Sequence, residues 1–176
     1  MDIAAHALWV AAGVTWASRH RPIGTPVAAL AVGMAVLPDL LQGVPVLIWA
    51  LFSGTDLSVI ADFAVAGPSA QSTLPNLVDA WSHHLHCILH SAPIALVVSA
   101  ATWALRPALW PVLAAWWSHI VIDVLTHSSG FYPVPVLYPF TMAGFDGIPW
   151  NTPWFVVLNY TALAVAWLAL GLSRRR

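Results

Sequence analysis

The sequence predicts an all-α integral membrane protein, a bundle of about five transmembrane helices in a single domain covering residues 1–176. Composition, span pattern and charge placement lead there together. Hydrophobic residues make up 60% of the chain, charged residues 7%, and mean hydropathy is +0.79. A soluble domain carries about 25% charged residues. Lys and Glu are absent, the charges being six Arg and seven Asp, and eleven Trp fit a protein with rings at the headgroup level. No basic face exists to bind nucleic acid. Cys87 has no partner cysteine for an intrachain disulfide and reads as a small apolar residue in a helix.

The apolar runs define spans at 3–18, 25–52, 82–105, 107–127 and 153–172. In the first, Asp2 precedes the apolar residues while Arg19, His20 and Arg21 follow them, the reverse of a secretory signal's charge order. A retained helix is expected there. The second run exceeds the ~20 residues that cross a bilayer and holds Pro38, Gly43 and Pro45, so a kink or break is expected at Pro38–Asp39. The third carries His83, His86 and His90 in one polar stripe, with His83, His84 and His86 placed at the headgroup boundary. Between the spans, 53–81 and 128–152 are long connections rich in Gly, Pro and aromatics, with the length of functional lids. In the second of these, Tyr132, Asp146 or Asn151 is able to face a substrate, or the aromatics anchor the bundle.

With five spans, Arg19, Arg21, Arg106 and Arg174–Arg176 share one side. The positive-inside rule makes that side cytoplasmic, N-terminus out and C-terminus in. Depth then follows from helical rise. His6 lies about 20 Å from Arg19, while His119, His90 and Asp123 lie about 20, 24 and 26 Å from Arg106. Asp39 lies at most about 27 Å from Arg21. Five metal-capable side chains on four helices thus reach one level in the outer half of the membrane.

Ionisable groups at that depth cost roughly 2.5–3.5 kcal/mol each on insertion scales, so they pair or serve a function. His119, Asp123 and His127 are spaced i, i+4, i+8 and form one stripe of roughly 80°. His and Asp are ligands of Zn²⁺ and, with more carboxylate, of Mn²⁺ or Fe²⁺. His6, Asp39, His90, His119 and Asp123 exceed one tetrahedral shell, so either two ions bind or one binds and the surplus residues act as base and support. His127, one turn further out, suits proton transfer or substrate contact.

The segments Met1-Asp-Ile-x-x-His6, Leu37-Pro-Asp39, His90-Ser91 and His119-x-x-x-Asp123-x-x-Thr126-His127 resemble a family of bacterial inner-membrane proteins classed as metal-dependent hydrolases. Pro135-Val-Leu-Tyr-Pro139 and Trp150-Asn-Thr-Pro-Trp154 resemble a small subgroup of that family. The resemblance implies a bacterial cytoplasmic-membrane protein with a metal site on His6, Asp39, His90, His119 and Asp123. The His-x-x-x-Asp element is also similar to zinc-dependent phospholipase C and the related single-strand nucleases. Those enzymes add a His-x-x-x-Glu for a third ion, which a chain without Glu does not provide.

The functional expectation is a metal-dependent hydrolase working at the outer leaflet on a lipid-borne phosphoester or ester, with Asp39, Asp123 and His127 as catalytic groups. The alternatives are a metal-ion or proton transport or sensing protein, and a scaffold held by a His–Asp network. Below the His119 level the spans carry Thr15, Thr25, Ser99, Thr102 and Ser118 but no ionisable residue, which disfavours a path to the inside.

Overall fold

Asp2 starts the first helix by accepting the Ala5 N–H at 3.0 Å, and α1 runs Ile3–Ala17. The structure is a computed structural model describing residues 1–65, 74–130 and 132–173. Part of the first long connection (66–73), Phe131 and the Arg174–Arg176 cluster lie outside the described residues. The elements that follow are α2 (Thr25–Ser53), α3 (Ser58–Val65), α4 (Asn76–Leu89), α5 (Ala92–Leu105), a 3-10 turn at Pro107–Leu109, α6 (Trp110–Thr126) and α7 (Pro153–Leu172). Among the described residues there is no strand. The all-α expectation holds.

Pro26, Pro93, Pro111 and Pro153 all sit in first turns, where a missing N–H costs nothing. Pro38 and Pro45 fall inside α2, yet the helix continues through both. The break considered at Pro38–Asp39 does not occur. Each proline removes one bond of a ladder 29 residues long, and α1, α4 and α6 pack along that helix. Gly54 ends it in the left-handed region at φ 69°.

The expected straight span 82–105 is instead a bent pair, α4 and α5 meeting at 57° across His90–Ser91. Pro93 is the cause. Its ring excludes the carbonyl four residues back, that of Leu89, and supplies no N–H to it. The Leu89 carbonyl accepts the Trp116 indole N–H at 2.8 Å instead. Ser91 caps α5 by accepting the Ile94 N–H, and its hydroxyl donates to the Tyr138 carbonyl at 2.5 Å. The Ala92 N–H donates to the Val136 carbonyl, so the 128–152 connection braces the bend. The connection 53–81 is also less open than expected, since it holds α3 and the first turns of α4.

By length and composition, α2, Pro107–Thr126 and α7 can each cross a membrane, and the α4–α5 pair is a fourth if counted as one span. Helix α1 has 15 residues, about 22 Å, short of the ~30 Å hydrocarbon layer. By this measure three or four helices are long and apolar enough to cross, with α1 a shorter apolar helix beside them. Burial is inverted relative to a soluble protein: His6, His86, His90, His119 and Asp123 are inside, while Leu105 is 78% and Val157 67% exposed. That pattern suits a lipid surround.

Helix α2 is central. Ala31 and Ala35 on it and Ala115 on α6 are buried with Val10, small residues that let three helices approach closely. Arg19 closes the far end by donating to the Leu170 carbonyl and Ser173 hydroxyl beyond α7. Trp9 donates to Asn159 at 2.9 Å and joins α1 to α7 midway.

The last carbonyls of α6 are answered by the 128–152 connection. The N–H groups of Ile148, Trp150 and Gly147 donate to Leu125, Thr126 and His127 at 3.0, 2.9 and 2.8 Å. Asp146 anchors the same loop by accepting the Ser129 N–H and hydroxyl, which hold its carboxyl below the ordinary carboxylate range. A Cβ on Gly147 would lie 2.3 Å from the Leu125 carbonyl oxygen, so only glycine fits. Gly147→Ala is expected to cost about 1–3 kcal/mol, as overpacking does. Gly13→Ala, in helix α1 with nothing within 4 Å, is expected to gain roughly 0.5–1 kcal/mol. Thermal unfolding of the two variants in one detergent checks the contrast.

Candidate metal centre

The five side chains of the centre arrive on four helices. His6 lies one turn into α1, Asp39 in the middle of α2, His90 at the C-cap of α4, and His119 and Asp123 on the last turns of α6. Asp123 is the meeting point. Its Oδ1 lies 2.9 Å from His6 Nε2, and its Oδ2 lies 3.1 Å from His90 Nε2 and 3.3 Å from His119 Nε2. The Met1 nitrogen also donates to Oδ1. Asp39 Oδ1 stands 3.7 Å from His119 Nε2 and 3.9 Å from His90 Nε2.

One ligand atom from each of His6, Asp39, His119 and Asp123 falls within 4.8 Å of all the others, so this buried group can hold a metal ion. His90 joins it through Asp123 and His119, with its Nε2 only 3.0 Å from His119 Nε2. The structure thus brings together all five residues singled out from the sequence.

The far side of each ring fixes what the near side offers. His119 Nδ1 lies 2.7 Å from the Ala35 carbonyl oxygen and His90 Nδ1 lies 2.9 Å from that of His86. Carbonyls only accept, so both rings carry the proton on Nδ1 and turn Nε2 lone pairs inward. This is the arrangement of a metal-ligating histidine held by a main-chain oxygen. Neutral rings so oriented face each other lone pair to lone pair at 3.0 Å. Two carboxylates stand beside them with no Lys or Arg among the described residues, compensated by the Met1 nitrogen and His6 on Asp123 Oδ1. Asp39 Oδ2 is buried with no hydrogen-bond partner. The donor set fits a divalent cation, whose charge would answer the facing lone pairs and both carboxylates at once.

His127 stands outside the ligand group. Its Nδ1–H donates to the Asp123 carbonyl at 2.9 Å, and its Nδ1 is 3.9 Å from Asp123 Oδ1. The ring lines a cavity of about 540 Å³ that Asp39, Gln42 and Tyr132 also line. Tyr132 sits at φ 48°, uncommon for a residue with a Cβ, and meets the His86 ring edge-on at 4.8 Å. Burial and the nearby Asp79 push its phenol up to about 12, so it remains a hydrogen-bond donor.

His86, expected at the headgroup boundary, is turned into the bundle rather than out to solvent. It is buried, its ring centroid 4.3 Å from that of His90, with its Nδ1 2.8 Å from Gln42 Oε1. His83 and His84 remain exposed. The roles of Gln42, the Ala35 carbonyl and the Met1 nitrogen carry no sequence signal beyond position. His86 has one, its i, i+4 relation to His90.

The chain matches no protein-family model, no curated protein and no solved structure.

His119→Ala, His90→Ala and Asp123→Asn are each expected to lower bound metal at least tenfold, the scale of losing a ligand or its support. Metal analysis of purified protein, with helix content followed by circular dichroism, checks this. Full occupancy with the fold intact would reduce the centre to a hydrogen-bond network.

Proposed function

We propose that the chain is a membrane-embedded metal-dependent hydrolase of ester or phosphoester bonds, with Zn²⁺ as its ion. The observation that carries the reading is the pair of inward Nε2 atoms 3.0 Å apart beside Asp123 and Asp39. The resemblance to the bacterial inner-membrane hydrolase family, on the same residues, supports it.

His6, Asp39, His119 and Asp123 hold the ion, and His90, on the other oxygen of Asp123 from His6, orients that carboxylate or takes a second ion. The bound ion supplies Lewis acidity to the scissile group and makes water nucleophilic at neutral pH. Asp39 turns Oδ1 to the rings and leaves Oδ2 unpartnered, so it takes the proton of the attacking water. His127, fixed by Nδ1–H on the Asp123 carbonyl at the cavity wall, takes up that proton at Nε2 and passes it to the leaving oxygen. Water then adds across the ester bond with no net change in protons on the protein.

The proposed setting is the bacterial cytoplasmic membrane. Counting α1 and the bent α4–α5 pair as crossings places Arg19, Arg21 and Arg106 on the cytoplasmic side and the centre toward the outer face.

A chelator is expected to abolish turnover on an ester and phosphoester panel, and Zn²⁺ or Mn²⁺ to restore it. His127→Ala should lower turnover by about 10²–10⁴, the range of general acid–base catalysis, with metal content unchanged. His119→Ala should lose both. Metal-loaded protein that hydrolyses nothing yet moves metal ions across proteoliposomes would replace hydrolysis with transport.

A further inference from the structure

The 540 Å³ cavity falls within the range of about 300–1,000 Å³ for small-molecule sites, and its two ends differ in chemistry. Asp39, Gln42, His127 and Tyr132 line one part beside the metal centre. Asp39 is the one cluster carboxylate open to it, its side chain 13% exposed where that of Asp123 is 0%. Along α2 and α3 the lining is apolar, with Leu40, Gly43, Val44 and Leu47 from α2 and Ile60 and Phe63 from α3, while the start of α1 adds Met1 and Asp2 at the polar part. Among the described residues no Lys or Arg lines it.

A soluble polar substrate would leave that apolar groove unused, and a plain hydrocarbon would leave the buried, unpartnered Asp39 Oδ2 unanswered. Leu40, Val44 and Leu47 are themselves exposed on the outward face of α2. The groove is therefore continuous with the surface that lipid would wet. An occupant can enter sideways from the bilayer, with no aqueous funnel.

We infer that the cavity is the seat of a single-chain amphiphile drawn from the bilayer. Its hydrocarbon chain lies between α2 and α3, and its head meets the metal centre at Asp39 and His127. The inference rests on the proposed metal-dependent reading for what the head meets, while the chain seat stands on the groove alone. Without a cationic side chain in the cavity, an anionic or ester head is answered by the bound ion, and a hydroxyl beside it by Asp39 Oδ2.

Displacement of a dansylated undecanoate probe by butyl-, octyl- and dodecylphosphonate tests this on full-length, zinc-loaded protein in lipid nanodiscs. Affinity should climb with chain length by up to about fourfold for each methylene seated, the ~0.8 kcal/mol of its transfer. Gly43→Leu should flatten that dependence, because a Cβ at Gly43 meets nothing within 4 Å and the added side chain grows into the groove. It should leave zinc content and the affinity of butylphosphonate within about twofold, and Gly43→Ala should fall between. Affinity independent of chain length, or a steep dependence that survives Gly43→Leu in folded protein, overturns the seat. Chain-length-dependent binding without turnover of the matching esters sinks hydrolysis and leaves the seat standing. Turnover of short soluble esters with no chain-length effect does the reverse.

Discussion

The bundle depends on how one buried carboxylate is satisfied. Asp123 is fully inside, where an isolated carboxylate would carry a desolvation penalty of tens of kcal/mol at a dielectric of about 4. It is compensated on one oxygen by His6 and the Met1 nitrogen from α1, while its other oxygen meets the Nε2 atoms of His90 and His119, where the charge of a bound cation would answer all three. Withdrawing one partner of such a buried set leaves charge uncompensated and costs about 3–5 kcal/mol. Helix α1, with 15 residues, has little length with which to hold a membrane position. Its attachment to Asp123 at one end and to α7 through Arg19 and Trp9 does that instead.

Each ligand also depends on main-chain geometry that is not chemical in itself. His90 can reach Asp123 because the chain turns immediately after it, and the turn exists because Pro93 denies the Leu89 carbonyl its helical partner. Trp116, one turn before His119 on α6, accepts the consequence by bonding that carbonyl. Ala35 carries only a methyl group and lets α6 approach, so its carbonyl comes within 2.7 Å of His119 Nδ1. A proline, an indole and an alanine thereby decide where two imidazole lone pairs point.

Much of the centre is legible in the sequence because helical rise is a reliable ruler. The ruler from Arg21 to Asp39 works since α2 stays unbroken, and the one from Arg106 to His90 works since the bend falls at His90 itself. The spacing of His119 and Asp123 fixes their common face without any tertiary knowledge. What hydropathy hides is the bend, because an apolar run looks the same straight or folded at 57°. Pro93 carries that signal, and the Leu89 carbonyl it frees is taken by the Trp116 indole. Main-chain acceptors such as Ala35 and Leu89 have no side-chain signature at all.

The loop amides that end α6 bear on more than the helix terminus. Leu125, Thr126 and His127 give their carbonyls to Ile148, Trp150 and Gly147, two to four residues beyond Asp123. Opening this loop strips the terminal turn that carries His127, so loop and centre form one cooperative unit with a shared opening free energy. Anything that binds only the closed form adds RT ln(1 + [L]/Kd) to that free energy. Occupancy of the centre is thereby written into the exchange rates of three backbone hydrogens that touch neither ion nor substrate.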